Sequence, residues 1–381
     1  MPFDFSTAAR IRFGEGTARE VARAAAVLGR RALVVTGRSA ERFAGLLDGP
    51  RFAVPDEPTI ELVRRGIAFA REQKCDVVVA IGGGSAIDAG KAVAALLANS
   101  GDPLDYLEVI GRGLPLENPS APFIAVPTTA GTGSEVTRNA VLASPEHRVK
   151  ASLRSASMLP RLAVVDPELA YDLPPAVTAS TGLDALTQLI EPYVSSRSNP
   201  MTDLYCVEGI RAASAALPRA YDNARDAESR RAMAWASLLG GLALANAGLG
   251  AVHGFAAPIG GMFPAPHGAV CAAILPHAMA VNIRALRSRA PQSPALSRYD
   301  EVARLLTGRP HATASDAVRF AADLCRRFEI PSLATYGIGA GDISTLAEKA
   351  ARASSMQANP IVLWPGELRE ILTLALPATA N

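Results

Sequence analysis

The stretch VVVAIGGGSAIDAGKAVAAL, residues 77–96, limits what this chain can fold into more than any other. A short Val/Ala/Ile run, apolar at every position, reads as a strand buried on both faces. Gly82, Gly83, Gly84 and Ser85 end it, and a helical pattern follows at once. Strand, glycine turn and helix together form the repeating unit of a parallel α/β sheet. Glycines in such a turn let a phosphate approach the backbone, and the helix N-terminus adds free N–H groups and a positive dipole end. A plain glycine turn is the alternative. Two common phosphate-binding patterns fail here. In the Walker pattern four residues separate Gly from Gly-Lys-Ser/Thr, whereas five separate Gly84 from Gly90, and Lys91 is followed by Ala92. The dinucleotide fingerprint places a third glycine where Ile87 stands.

The same alternation runs through the first 173 residues. RALVVTG (31–37), RFAVPD (51–56) and FIAVPTT (123–129) are further short strand signals, separated by helical patterns such as IELVRRGIAFAREQK. A mostly parallel sheet with helices on both faces is expected over 1–173, with ARIRFGEG near the start as an edge strand. Past Pro174–Pro175 strand signals stop, and 174–381 reads as all-helical. The nearly apolar stretch 229–248 reads as a central buried helix, and RSRAPQSPALSRYD (287–300) as a surface loop.

Composition narrows the partners. The 38 basic and 36 acidic residues leave a net charge of +2, so neither nucleic acid nor an acidic membrane is indicated. The N-terminus has no basic start followed by an apolar run, and no unbroken apolar stretch reaches membrane-spanning length. Cys75, Cys206, Cys271 and Cys325 are widely spaced in apolar settings and read as reduced core residues of a cytoplasmic protein.

Three further stretches carry candidate chemistry. FIAVPTTAGTGSEVT (123–137) runs from a strand into a loop whose Thr128, Thr129, Thr132 and Ser134 offer hydroxyls to a ribose, phosphate or carboxamide. TGLDALTQLIEPYVS (181–195) places Asp184 and Gln188 on one apolar, inward helical face. VHGFAAPIGGMFPAPHGAVCAAILPH (252–277) holds His253 and His267, fourteen apart, and His277; its prolines and glycines imply two helices meeting at a bend, the second starting near His267. A lone histidine on an apolar face is usually a packed core residue. Two of them, with a buried carboxylate and carboxamide elsewhere, make a plausible site for a divalent first-row metal.

In this order, GGGSAIDAGKA, PTTAGTGSEVT and HGFAAPIGGMFPAPHG resemble the iron-containing (group III) alcohol dehydrogenases, whose relatives include glycerol dehydrogenase, maleylacetate reductase and dehydroquinate synthase. The resemblance runs from the N-terminal strand to about residue 280. It implies a dehydroquinate-synthase-like fold, an α/β dinucleotide-binding domain (1–173) followed by a helical metal and substrate domain (174–381). It implies NAD or NADP, a divalent metal (iron or zinc), a small alcohol, aldehyde or oxoacid as substrate, and a homodimer paired through the N-terminal strands. Residue by residue, Gly83, Gly84 and Ser85 match the pyrophosphate loop and Asp88 the acid of its helix. Thr128, Thr129 and Ser134 match the second cofactor loop, and Lys150 a lysine near the ribose. Asp184, His253 and His267 match three metal ligands with catalytic roles.

Two departures stand out. Gln188 occupies the place of a fourth, histidine ligand, so it either ligates, binds a metal water or orients substrate. Ala257 replaces a histidine considered for proton relay, which leaves His277 as a substitute catalytic candidate. After RALVVTG, Gly37 and Arg38 stand where NAD-selective relatives carry an aspartate, so NADP(H) is expected to be tolerated or preferred. The activity implied is metal-assisted hydride transfer between an alcohol and an aldehyde or ketone. The alternatives are a maleylacetate-type reductase without a required metal, which the changes at 188 and 257 favour, and a dehydroquinate-synthase-like lyase. The low-charge stretch 232–283 argues against the lyase.

Overall fold

A computed structural model describes residues 2–38 and 40–377, and the chain divides into two units: residues 5–171, and 172–381 together with 1–4. In the first, β1 (Ile11–Phe13), β2 (Ala32–Thr36), β3 (Arg51–Ala53), β4 (Val77–Gly82), β5 (Phe123–Pro127) and β8 (Leu162–Val165) form one sheet in the order β1-β8-β5-β4-β2-β3. Every pairing in it is parallel. Between the strands run α1 (Val21–Leu28), α2 (Ile60–Glu72), α3 (Gly84–Leu97) and the short α4 (Pro103–Tyr106).

Strand periodicity explains why both faces are covered. Alternate residues of β2 and β4 point to opposite sides. Leu33, Val35, Val78 and Ala80 pack with Val63 and Ile67 of α2 and Ile87 and Val93 of α3. Val34, Val77, Val79 and Ile81 pack with Val21 and Ala25 of α1 on the other face. All six residues of β4 are therefore buried, as its unbroken apolar run predicts. The ARIRFGEG segment is an edge strand, since β1 pairs only with β8 among the described residues.

One hairpin escaped the sequence reading. β6 (Asn139–Ser144) and β7 (Val149–Arg154) pair antiparallel around a turn in which Arg148 takes a positive φ of 49°. Burial alternates along β6 and stays partial along β7, so no continuously buried run marks the hairpin.

The second unit is helical, with no strand among its described residues: α5 (Pro175–Val194), α6 (Pro200–Asp222), α7 (Ala227–Ala247), α8 (Ala251–Met262), α9 (His267–Arg289), α10 (Pro294–Thr307), α11 (Ala314–Arg327), α12 (Ile343–Arg352) and α13 (Pro365–Ala375). α7 is the buried helix expected over 229–248, packed against α5 and α6. By length and composition α9 could cross a membrane, but 83% of its apolar window is buried inside the fold, which makes it a core helix. The loop expected over 287–300 is a correction: α9 continues to Arg289, and α10 begins at Pro294. The Ser-Pro pair that reads as a turn is a helix start, with the Ser293 side chain accepting from the Ala295 N–H and proline at the first helical position.

Candidate functional site

In the α/β unit, two loops meet at the C-terminal ends of β4 and β5. The strands stay paired to their last residues, and the Thr128 N–H donates to the Gly82 carbonyl at 3.0 Å. Gly83 stands before α3 and offers no side-chain cap, so the first N–H groups of that helix remain available. Gly84 has to be glycine, because a Cβ there would lie 2.8 Å from Thr132 Cγ2. The glycine and hydroxyl loops are thus in direct contact.

Behind them lies an ionic knot. Lys91 is fully buried, and its ammonium donates to Thr137 Oγ1 (2.7 Å), the Asn139 carbonyl (2.8 Å) and Ser134 Oγ (3.0 Å), and lies 3.4 Å from Asp88 Oδ1. Ser134 Oγ donates to Asp88 Oδ1 at 2.5 Å, and the Val141 N–H donates to Asp88 Oδ2 at 3.0 Å. Burial pulls the Lys91 ammonium below its usual range, against the opposing pull of Asp88. Burial also pushes the neighbouring Glu135 carboxyl up to about 7. Asp88 and Ser134, two expected cofactor residues, therefore have firm partners within the protein. Lys91, which the failed Walker pattern set aside, is the residue that ties them together.

The other expected cofactor residues lie elsewhere in this unit. Gly37 follows β2 with open space where a Cβ would be. Arg38 donates to the Pro55 carbonyl at 2.5 Å and pairs with Asp56. Lys150 on β7 reaches Glu57 Oε1 at 3.1 Å, and its side chain is only 6% exposed.

The helical unit contains a second cluster. Asp184, Gln188 and Glu191 form an i, i+4, i+7 stripe on the buried face of α5. His253 sits in the first turn of α8 and His267 opens α9, so the bend between these helices brings the two rings to 5.4 Å centre to centre. His253 Nε2 lies 3.3 Å from Asp184 Oδ1, and His267 Nε2 lies 3.7 Å from the same oxygen. Cys271, one turn along α9, brings its sulfur to 3.6 Å from His267 Nε2. Donor atoms of Asp184, His253, His267 and Cys271 all fall within 4.8 Å of one another.

The hydrogen bonding around this cluster is incomplete in a telling way. Asp184 Oδ1, His253 Nε2 and Gln188 Oε1 are buried without a hydrogen-bond partner. Buried polar atoms left so cost about 1–3 kcal/mol each, and a bound cation removes that cost. The outer atoms are satisfied. Gln188 Nε2 donates to Asp184 Oδ2 at 3.0 Å. His253 Nδ1 lies 2.7 Å from Glu191 Oε2, while Glu191 Oε1 accepts the Val252 N–H at 2.7 Å. Next to it, Asn359 Oδ1 accepts the Ala251 N–H at 3.0 Å, and Asn359 is bonded to Asn282 in both directions.

Electrostatics follow the geometry. Burial opposes charge on Asp184, but the imidazoles of His267 and His253 outweigh it and hold the carboxyl below the usual range. Burial likewise opposes charge on both imidazoles. The Cys271 sulfur and the Asp184 carboxylate outweigh it at each, and His253 is raised well above its ordinary value. His267 is the member that meets solvent, with 34% of its side chain exposed.

His277 is outside this group. It lies ten residues further along α9 than His267, about 15 Å of helix, and burial lowers it below its ordinary value. Glu191 and Cys271 are the residues that the sequence reading missed. Both had a signal: Glu191 continues the Asp184–Gln188 stripe, and Cys271 stands four residues after His267. An apolar setting made Cys271 look like simple core.

Comparison with known proteins agrees with the layout. Residues 8–167 match the family described as iron-containing alcohol dehydrogenase, and 178–376 match the C-terminal part of the Fe-containing alcohol dehydrogenase family. Alcohol dehydrogenase 4 of Schizosaccharomyces pombe is 37% identical over 324 residues, 85% of this chain and 74% of that protein. NAD-dependent methanol dehydrogenase of Bacillus methanolicus is 35% identical over 384 residues, 95% of this chain and 97% of that one. The crystal structure of a 1,3-propanediol oxidoreductase superimposes with a TM-score of 0.89 at 32% identity, covering 99% of this chain and all of that one. With both halves matched and relatives of this similarity along its length, the chain belongs to the iron-containing alcohol dehydrogenase family.

Proposed function

We propose that this protein is a nicotinamide-dependent, metal-assisted dehydrogenase that interconverts a small alcohol and its aldehyde or ketone. The observation that carries this reading is the convergence of Asp184 Oδ1 and His253 Nε2, buried and without hydrogen-bond partners, beside His267. One carboxylate and two imidazoles suit a divalent first-row metal such as zinc or ferrous iron. When bound, the metal supplies Lewis acidity toward the alcohol oxygen, and the nicotinamide accepts or returns a hydride.

The chain's own residues prepare that chemistry. Glu191 holds the Nδ1 edge of His253, so the Nε2 lone pair faces inward. Gln188 holds Asp184 Oδ2 and leaves Oδ1 for the metal. With Ala257 one turn beyond His253, no imidazole stands there as a relay, and the alcohol proton goes to solvent on the open side of His267. For the cofactor, we assign Gly83, Gly84 and Ser85 at the start of α3 to the diphosphate, and Thr128, Thr129 and Lys150 to the sugar and carboxamide. Asp88 and Ser134 hold the two loops together through Lys91. Gly37 and Arg38 leave room for NADPH beside NADH. The four cysteines are free thiols, which suits a reducing cytoplasm. The open outer edge of β1 suits a homodimer, to be tested by light scattering.

The function is tested by loading purified protein with zinc or ferrous iron and following NADH and NADPH absorbance with small aldehydes and with oxoacids. Turnover of aldehydes, lost together with bound metal in Asp184→Ala, is the expected result. Full activity of metal-free Asp184→Ala overturns it. That outcome transfers the reading to a metal-independent reductase of unsaturated oxoacids, in which the Gln188–Asp184 hydrogen bond would itself be the finished site.

A further inference from the structure

Gln188 stands where relatives of this family carry a fourth imidazole; its amide N–H is spent on Asp184 Oδ2, and its Oε1 is buried without a hydrogen-bond partner. Cys271 brings a sulfur to the same cluster. Cys271 is wholly buried and lies one turn beyond His267, so its Sγ and the His267 ring share one face of α9.

Two of three measured donor separations match a tetrahedral site. Oxygen and nitrogen donors about 2.0–2.1 Å from zinc, at tetrahedral angles, lie about 3.3 Å apart, and a nitrogen and a thiolate sulfur at about 2.3 Å lie about 3.6 Å apart. The observed Asp184 Oδ1–His253 Nε2 separation is 3.3 Å, and His267 Nε2–Cys271 Sγ is 3.6 Å. The third measured edge, Asp184 Oδ1–His267 Nε2, is 3.7 Å, longer than a tetrahedral O–N edge, so the His267 ring closes in on metal binding. Two of these atoms, Asp184 Oδ1 and His253 Nε2, have no hydrogen-bond partner of their own.

We propose that Cys271 is the fourth protein donor of the metal site, replacing the imidazole absent at 188. On metal binding the thiol loses its proton to solvent and the sulfur binds as thiolate, with no change of oxidation state. An Asp/His/His/Cys set is softer than the usual Asp/His/His/His set and selects zinc or cobalt over ferrous iron. Gln188 then positions Asp184 through its amide N–H, and its unpartnered Oε1 is the rival fourth donor that the sulfur measurements below discriminate against. This inference rests on the metal reading of Asp184, His253 and His267 given above.

The test uses the full-length protein in two metal forms. In the zinc form, X-ray absorption at the zinc edge should find one sulfur scatterer at about 2.3 Å. In the cobalt form, a near-ultraviolet sulfur-to-cobalt charge-transfer band should appear, survive Gln188→Ala and vanish in Cys271→Ser. The zinc-over-iron preference from anaerobic competition should fall in Cys271→Ser by about ten- to a hundredfold, at least the size of an outer-contact effect. The zinc measurement needs no variant, so a misfolded Cys271→Ser protein does not blunt the test. Stoichiometric metal that depends on Asp184 but shows only oxygen and nitrogen neighbours overturns the role of Cys271 and leaves the metal site standing. Failure to bind zinc, cobalt or iron at all overturns both.

Discussion

The carboxylate of Glu191 grips His253 and the first turn of its helix together, with Oε2 at 2.7 Å from Nδ1 and Oε1 accepting the Val252 N–H at 2.7 Å. An acid at a helix N-terminus and an acid behind a metal histidine are usually separate devices. Here one side chain from α5 contacts both the helix N-terminus and the imidazole proposed to hold metal. Glu191→Ala should weaken zinc binding by about 10–100-fold, as loss of an orienting partner does. Glu191→Gln should fall between, because its oxygen can serve the imidazole but its amide cannot accept from Val252. Chelator competition with each purified variant reads this directly.

Gln188 gives the opposite kind of prediction. Its amide orients Asp184 through a single hydrogen bond, so Gln188→Ala should cost about tenfold in metal affinity while metal content survives. Gln188→His adds an imidazole in this position and should strengthen ferrous iron more than zinc. Anaerobic titrations of the apo-variants with both metals check the two expectations.

Cofactor choice should depend on Asp56. Arg38 is the cation expected to meet an adenosine 2′-phosphate, but it is paired with Asp56 in an exposed ion pair. Asp56→Asn frees it, and NADPH binding should improve about tenfold relative to NADH, some 1.4 kcal/mol. Fluorescence titration with both nucleotides measures the ratio. A wild-type preference for NADH of about a hundredfold or more, left unchanged by Asp56→Asn, contradicts this role for Gly37 and Arg38.

Glu135 makes stability depend on pH. Burial raises its carboxyl from the ordinary 4.5 to about 7, so between those values the folded protein holds a proton that the unfolded chain has released. That contribution is fully present below about 4.5 and is lost as pH rises through about 7, by up to about 3 kcal/mol. Glu135→Gln should flatten this slope. Urea midpoints for wild type and variant at about pH 5 and about pH 8 supply the comparison.

β2, β4 and β5 were legible because burial on both faces writes a continuous apolar run, and α2 and α3 because a proline or glycine signal precedes each; β8, equally buried, is a four-residue run and was not singled out. The β6–β7 hairpin was not legible, since only one face of each strand is buried and neither writes a continuous Val/Ile-rich run. Ser293–Pro294 was misread because the same pair starts turns and helices alike. At the candidate metal site, periodicity exposed Asp184 and Gln188, and the bend exposed His253 and His267. Cys271 stayed hidden because a buried cysteine beside His253 and His267 has the same apolar neighbours in sequence as any core cysteine. Lys91 needed three dimensions too: its partners at 134, 137 and 139 lie more than forty residues away.

Asn359 adds a matter of timing. Its side chain closes the first N–H of α8 from 108 residues further along the chain. Proteins are made from the N-terminus at about 5–20 residues per second, so Asp184, His253, His267 and Cys271 leave the ribosome several seconds before the residue that secures the helix carrying His253. All four donors are present in the growing chain while their scaffold is still open. Full closure of the start of α8 is therefore a late event in synthesis, and a chain cut short before 359 would hold that turn through Glu191 alone.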